Sequence, residues 1–221
     1  MTEAATIAEP LATPRTAEVA AYLAARMCHD FISPASAIVS GLDLLEDPSA
    51  QDMREEAMGL IASSARKLAD ALSFTRVAFG ASAMAETFDC RELAKLTTAI
   101  FQHMRAQLDW QVTPLGVNKP AARTLLNLAQ LAGAALPTGG TARVQAVEED
   151  GNLVIAVEAT GPRARLRPEV AAGLRGEPMG EGLHGHWVQA YYVNLFINDA
   201  GGRVFAEASE EKVVFAATLR V

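Results

Sequence analysis

Apolar residues recur every three or four positions along the first third of the chain. Cys28, Phe31, Ala35, Ile38, Leu42 and Leu45 form one such stripe. That spacing predicts a long helix packing nearly parallel to its neighbours. Asp47-Pro48-Ser49 reads as a turn that stops it near Glu46. A second stripe predicts a second helix after Ser49: Met58, Ile61, Ala65, Leu68, Leu72, Thr75 and Phe79, with Gly80 as its stop. Two long helices joined by a short turn make an antiparallel hairpin. A lone hairpin cannot bury both stripes. A second copy across a two-fold axis buries them in a four-helix bundle, so the pattern predicts a homodimer.

The texture becomes mixed from Glu86. Asp89 to Arg105 reads as helix and Leu108 to Thr113 as strand. Lys119 to Leu136 is a predicted helix with Pro120 near its start, ended by Pro137-Thr138-Gly139-Gly140. Apolar and polar residues alternate over Ala142 to Val147 and Leu153 to Ala159, across Glu148-Glu149-Asp150-Gly151-Asn152, which predicts a β-hairpin. The stretch from Gly161 to Gly185 is a Gly-, Pro- and Arg-rich loop with a short helix over Pro168 to Leu174. Trp187 to Asn198 is an apolar helix; Arg203 to Glu207 and Val213 to Val221 are a closing strand pair. The expected organisation is a loose tail over residues 1–15, a helical hairpin over 16–82 and a two-layer α/β sandwich over 86–221.

Composition narrows the function classes. Half of the 221 residues are hydrophobic, enough for a sizeable core. The formal net charge of -7 repels phosphate backbones and argues against nucleic-acid partners. Cys28 and Cys90 have no paired spacing, which excludes a disulfide scaffold or a cysteine zinc cluster and fits a reducing compartment. Cys28 lies on the first stripe and is expected in the core. No apolar run reaches the roughly 18 residues of a membrane span, and no export signal is visible, so the expectation is cytoplasmic with no membrane partner.

His29 stands one position past Cys28, about 100° around the helix, and should face outward. Ile32, Ser33, Ser36 and Ser40 share its face. Apart from Ile32 these are small hydroxyl residues, which leave room for another protein's helix. Asp30 follows directly; a carboxylate beside an imidazole can hold its tautomer and stabilise positive charge on the ring. Pro34 removes a backbone hydrogen bond and should bend the helix near the histidine. Each feature alone fits an ordinary surface helix. Their combination in HDFISP, ahead of a mixed α/β domain, carries the signal.

HDFISP resembles the phosphoacceptor box of sensor histidine kinases: a histidine, an acidic residue, and a proline five positions after the histidine. The hairpin then resembles their dimerisation and phosphotransfer domain, and residues 86–221 their ATP-binding domain of the Bergerat type, in degenerate form. In LLNLAQLAGAALPTGG, Asn127 matches the first asparagine of the family's metal-binding helix, but the second falls at Leu131, which cannot ligate a hard cation. In VEATGPRARL, the adenine-reading aspartate falls at Ala159 and a glycine at Arg163. In GEGLHGHW, His184 stands where a nucleotide lid favours glycine. Asn127 is then expected to survive as a fold determinant, and no metal is expected at His184 and His186. His103 reads as partly buried structure.

Taken whole, the sequence is similar to the histidine phosphotransferases of alphaproteobacterial cell-cycle phosphorelays. The resemblance implies His29 as phosphoacceptor, Asp30 as the residue orienting its ring, and a docked receiver helix over Ile32, Ser33, Ser36 and Ser40, with Arg26 helping with phosphate charge. It implies no cofactor on this chain and magnesium in the partner receiver domain. It also implies a donor receiver on a CckA-like hybrid kinase and CtrA-like and CpdR-like response regulators as acceptors. An ATP-dependent kinase or phosphatase and a non-catalytic dimeric scaffold are the alternatives, separated by ATP binding and by a His29→Ala change.

Overall fold

Helix α1 spans Thr16–Glu46 and runs through Pro34 without interruption. A 3-10 turn over Pro48–Met53 follows, where the Asp47 carboxylate accepts from the Ser49 backbone N–H at 2.8 Å and its hydroxyl at 2.7 Å. Helix α2, Arg54–Ala78, then returns antiparallel. The structure is a computed structural model describing residues 14, 16–80, 87–178 and 185–220. The tail expected over 1–15 lies outside these, apart from Pro14.

The hairpin forms as predicted, with its most buried contacts one position off the predicted stripes, whose members Phe31, Ala35, Ile38, Leu45, Ile61, Leu68, Thr75 and Phe79 are half-buried. The buried residues are Val19, Pro34 and Gly41 on α1, and Ala57, Ser64, Phe74 and Ala78 on α2. Most stand one position before a member of the predicted stripes: Pro34 and Gly41 before Ala35 and Leu42, Ala57 and Ser64 before Met58 and Ala65. The reason is steric. Small side chains let the helices approach closely: a Cβ on Gly41 would lie 2.6 Å from Ile61 Cγ1 and 3.2 Å from the Ala57 carbonyl oxygen. Some of the larger residues are left beside this contact. Met58, Leu72 and Leu42 are 54%, 49% and 46% exposed. Cys28, expected in the core, is likewise exposed.

After the hairpin come β1 (Thr87–Asp89), α3 (Cys90–Phe101), β2 (Ala106–Val112), β3 (Gly116–Asn118) and α4 (Lys119–Ala134). Strands β4 (Gly140–Glu149) and β5 (Asn152–Thr160) follow, then α5 (Pro168–Leu174), α6 (Gly185–Asp199), β6 (Arg203–Ser209) and β7 (Lys212–Arg220). The main sheet has the order β2-β4-β5-β7-β6, with β2 parallel to β4 and the other pairs antiparallel. Strands β1 and β3, which the sequence pattern did not suggest, pair as a separate antiparallel ribbon. The predicted helices over 89–105 and 119–136 stop earlier, at Phe101 and Ala134.

The strand alternation puts Val144, Ile155, Val157, Phe215 and Leu219 on the inner face of the sheet. Helix α4 lies over them and is buried nearly all round, because α2 and α6 cover its other side. Phe74 and Ala78 of α2 belong to the same core as α4 and the sheet. Val19 of α1 packs with Trp187, Val188 and Tyr191 of α6. The α/β sandwich therefore grips both helices of the hairpin. No helix among the described residues is long and apolar enough to cross a membrane.

Candidate functional site

The side chain of His29 is 88% exposed, midway along α1. Ile32 is 62% exposed, and Ser33, Ser36 and Ser40 are exposed on the same flank. Asp30 stands beside the ring, its Oδ1 3.6 Å from His29 Nδ1. That is beyond hydrogen-bond range, so the carboxylate is not placed as an acceptor fixing the ring's tautomer. Asp30 also lies 3.6 Å from Arg26 Nε, one turn earlier.

Arg26 faces inward. Only 13% of its side chain is exposed, and its Nη1 donates to the Gly185 carbonyl at the start of α6. Burial pulls its pKa down, and Asp30 pulls it back up. The residue expected to serve phosphate charge is thus largely engaged in joining α1 to α6.

Beside His29 the hairpin and the α/β sandwich enclose a cleft of about 340 Å³. Phe31, Phe74, Ile100 and Met104 contribute apolar wall; Arg26, Asp30, Lys67, His103 and Gln130 contribute polar groups. The side chain of His103 is 26% exposed, in keeping with a partly buried structural role, and its Nε2 lies 2.9 Å from Asp70 Oδ2. This contact ties α2 to the turn after α3. Asp70 carried no sequence signal, since the two residues are 33 positions apart.

The three motifs that resemble nucleotide-site segments converge elsewhere. Leu131, Arg165, Leu166 and His186 surround a cavity of about 10 Å³ with Val170 and Phe215. That is room for about one water molecule. Ala159 is fully buried in β5 between Ala142 and Val213. Arg163 holds φ 61°, so the backbone keeps a conformation suited to glycine although the glycine is gone.

Asn127 is fully buried and its amide is engaged on both sides. Its Nδ2 donates to the carbonyls of Ala78 at 3.0 Å and Arg123 at 2.9 Å; its Oδ1 accepts from Gln189 Nε2 at 3.0 Å. Gln189 Nε2 also donates to Gln130 Oε1 at 2.7 Å. Asn127 therefore clamps α4 to the end of α2 and to α6, as expected of a fold determinant. With its oxygen taken and Leu131 apolar, this helix offers no fit for a magnesium–nucleotide complex.

His186 sits on the first turn of α6. Burial lowers its pKa most, followed by Arg167 and Arg26; Glu169 and Asp30 oppose this. His184 and the rest of GEGLHG before Gly185 lie outside the described residues, apart from the motif's end at 185–187. Among the described residues no group of three or more His, Cys, Asp or Glu side chains could hold a metal ion.

The family described as histidine phosphotransferase C-terminal domain matches residues 90–212. The protein phosphotransferase ChpT of Brucella abortus (strain 2308) is 34% identical over 203 residues, covering 90% of this chain and 95% of the relative. A solved bacterial phosphotransferase superposes with a TM-score of 0.83 at 31% identity, covering 95% of this chain and 100% of the other. The mycobacterial sensor histidine kinase MprB aligns over 61% of this chain and 96% of its own, at 18% identity and a TM-score of 0.49.

Proposed function

Because the chain belongs to the histidine phosphotransferase family represented by ChpT, we propose that it is the intermediate of a phosphorelay, with His29 as its phosphoacceptor. An imidazole nitrogen of His29 attacks the phosphorus of a receiver-domain aspartyl phosphate. The P–N bond forms, the P–O bond to the carboxylate breaks, and the carboxylate leaves. The reverse chemistry on a second receiver returns the imidazole. Such in-line transfer needs positioning and charge neutralisation more than acid–base machinery.

The observation that carries this reading is the exposure of His29 on a flank of small hydroxyl residues. Ser33, Ser36 and Ser40 let a receiver helix approach closely, and Ile32 gives it an apolar contact. Asp30, 3.6 Å from the ring, favours the positive charge that the phosphoimidazole carries. The receiver supplies the magnesium.

The donor is a CckA-like hybrid kinase receiver and the acceptors are CtrA-like and CpdR-like response regulators. The exchange takes place in the cytoplasm. The chain works as a homodimer, supported by the half-exposed apolar stripe of Leu42, Met58 and Leu72. It binds no ATP, a reading supported by the small cavity at Leu131, with room for about one water, and the engaged amide of Asn127.

The test is a transfer assay without ATP. The protein is mixed with a phosphorylated receiver domain and acid-labile label is followed. Label on the wild type and none on His29→Ala is the expected result. Labelling from ATP alone would replace the phosphotransferase with a kinase. Receiver binding that survives His29→Ala with all downstream function would leave only a scaffold.

A further inference from the structure

The chain as a whole carries a net charge of -7, yet the cleft beside His29 is lined by hydrogen-bond donors. Arg26, Lys67, His103 and Gln130 all contribute to its wall; Asp30 is the one carboxylate among the lining residues. Their commitments differ. Arg26 is spent on Gly185 and Asp30. His103 is held by Asp70. That same contact occupies the acid one turn after Lys67, at the i,i+3 position where an ion pair would otherwise form. Lys67 is left exposed and, among the described residues, pairs with no carboxylate. Gln130 is oriented by the buried amide chain: its Oε1 accepts from Gln189, so its Nε2 is the end left for the cleft.

We propose that this cleft is a holding site for the phosphoryl group on His29, in which the Lys67 ammonium and the Gln130 amide receive the phosphate oxygens while no receiver is docked. The inference rests on His29 being the phosphoacceptor. A phosphoryl group on imidazole is a compact anion at neutral pH, and charge-assisted hydrogen bonds to it are the strong kind. His29 lines the cleft with its side chain 88% exposed, so turning its ring inward seats the phosphoryl group and turning it outward presents the group to a receiver. Lys67 would thus contact the phosphate directly, a role that Arg26 cannot fill without giving up the contact to α6.

The phosphate's second ionisation reads the contact directly. A cation beside it favours the dianion and lowers that pKa; at a few ångströms in a solvated site the shift is about half a pH unit. The full-length protein is phosphorylated with phosphoramidate: the imidazole nitrogen attacks phosphorus and ammonia leaves. The 31P shift of phospho-His29 is then followed against pH, the signal being identified by its loss in His29→Ala. The charged neighbours held constant are Arg26 and Asp30 on α1, Asp70 on α2, His103 after α3 and His186 on α6.

Lys67→Gln should raise the ionisation midpoint by about half a unit and make it less sensitive to salt, while Lys67→Arg stays near the wild type. Superimposable curves for wild type and Lys67→Gln would overturn the holding site and leave the phosphoacceptor role standing. Absence of any His29-dependent signal in the wild type, or of label from a phosphorylated receiver, would remove both.

Discussion

Asn127 shows how one residue changes its work while keeping its place. Its helix resembles one that holds a metal in kinases, but here the amide is consumed by Ala78, Arg123 and Gln189. Truncation would strand a buried carbonyl and a buried amide donor, each costly to leave unpaired. Asn127→Ala should therefore lower the free energy of unfolding by about 1–3 kcal/mol, seen as an earlier urea midpoint with unchanged slope. An unchanged midpoint would mean that the clamp carries no stability. The motif around Asn127 was legible in the sequence, because its neighbours are local. Gln189 was not, standing 62 positions away with nothing in its own surroundings to point back. The same holds for Asp70 and for the Gly185 carbonyl that takes Arg26. Arg163 gives the opposite lesson: its sequence departs from glycine, and the backbone at φ 61° does not follow.

At the level of elements, periodicity found nearly every helix and strand but placed the hairpin contact one residue late. A hydrophobic pattern weights large residues, whereas close packing of two helices selects small ones. Pro34, Gly41, Ala57 and Ser64 thus make the closest contact within the chain, Gly41 against Ile61 of the predicted stripe, while Leu42, Met58 and Leu72 stand beside it. Strands β1 and β3, three residues each, are too short to show any period. The displaced stripe has its own use: Leu42, Met58 and Leu72 are the surface a second hairpin would cover. Leu72→Arg should leave the fold intact, since the residue is 49% exposed, and convert the proposed dimer to monomer in sedimentation equilibrium. A variant that sediments like the wild type would place the dimer contact elsewhere or remove it.

For the whole molecule, the junction between α1 and α6 sets a dependence on pH. The pKa of His186 is lowered in the fold by burial, Arg167 and Arg26, so the unfolded chain binds more protons near its ordinary value of about 6.5. Stability must then fall as pH drops through that value. The depressed carboxylates on the sheet, Asp109 beside Arg143 and Glu158 beside Lys212, act with the same sign, but only as pH falls further into the carboxylate range. Between pH 7.5 and 5.5 the thermal midpoint should drop by about 2 °C, and His186→Gln should flatten that slope. An identical slope in the variant would assign the effect to other groups. The shared core of Phe74 and Ala78 with α4 has a wider consequence. A sensor kinase regulates itself by swinging one domain over another, but a hairpin sealed into its neighbour has no such stroke. On the proposed phosphotransfer reading, the relay then has no throttle of its own. Phosphate flows through it in whichever direction the loaded and empty receivers dictate by mass action, as charge settles between two reservoirs joined by a wire.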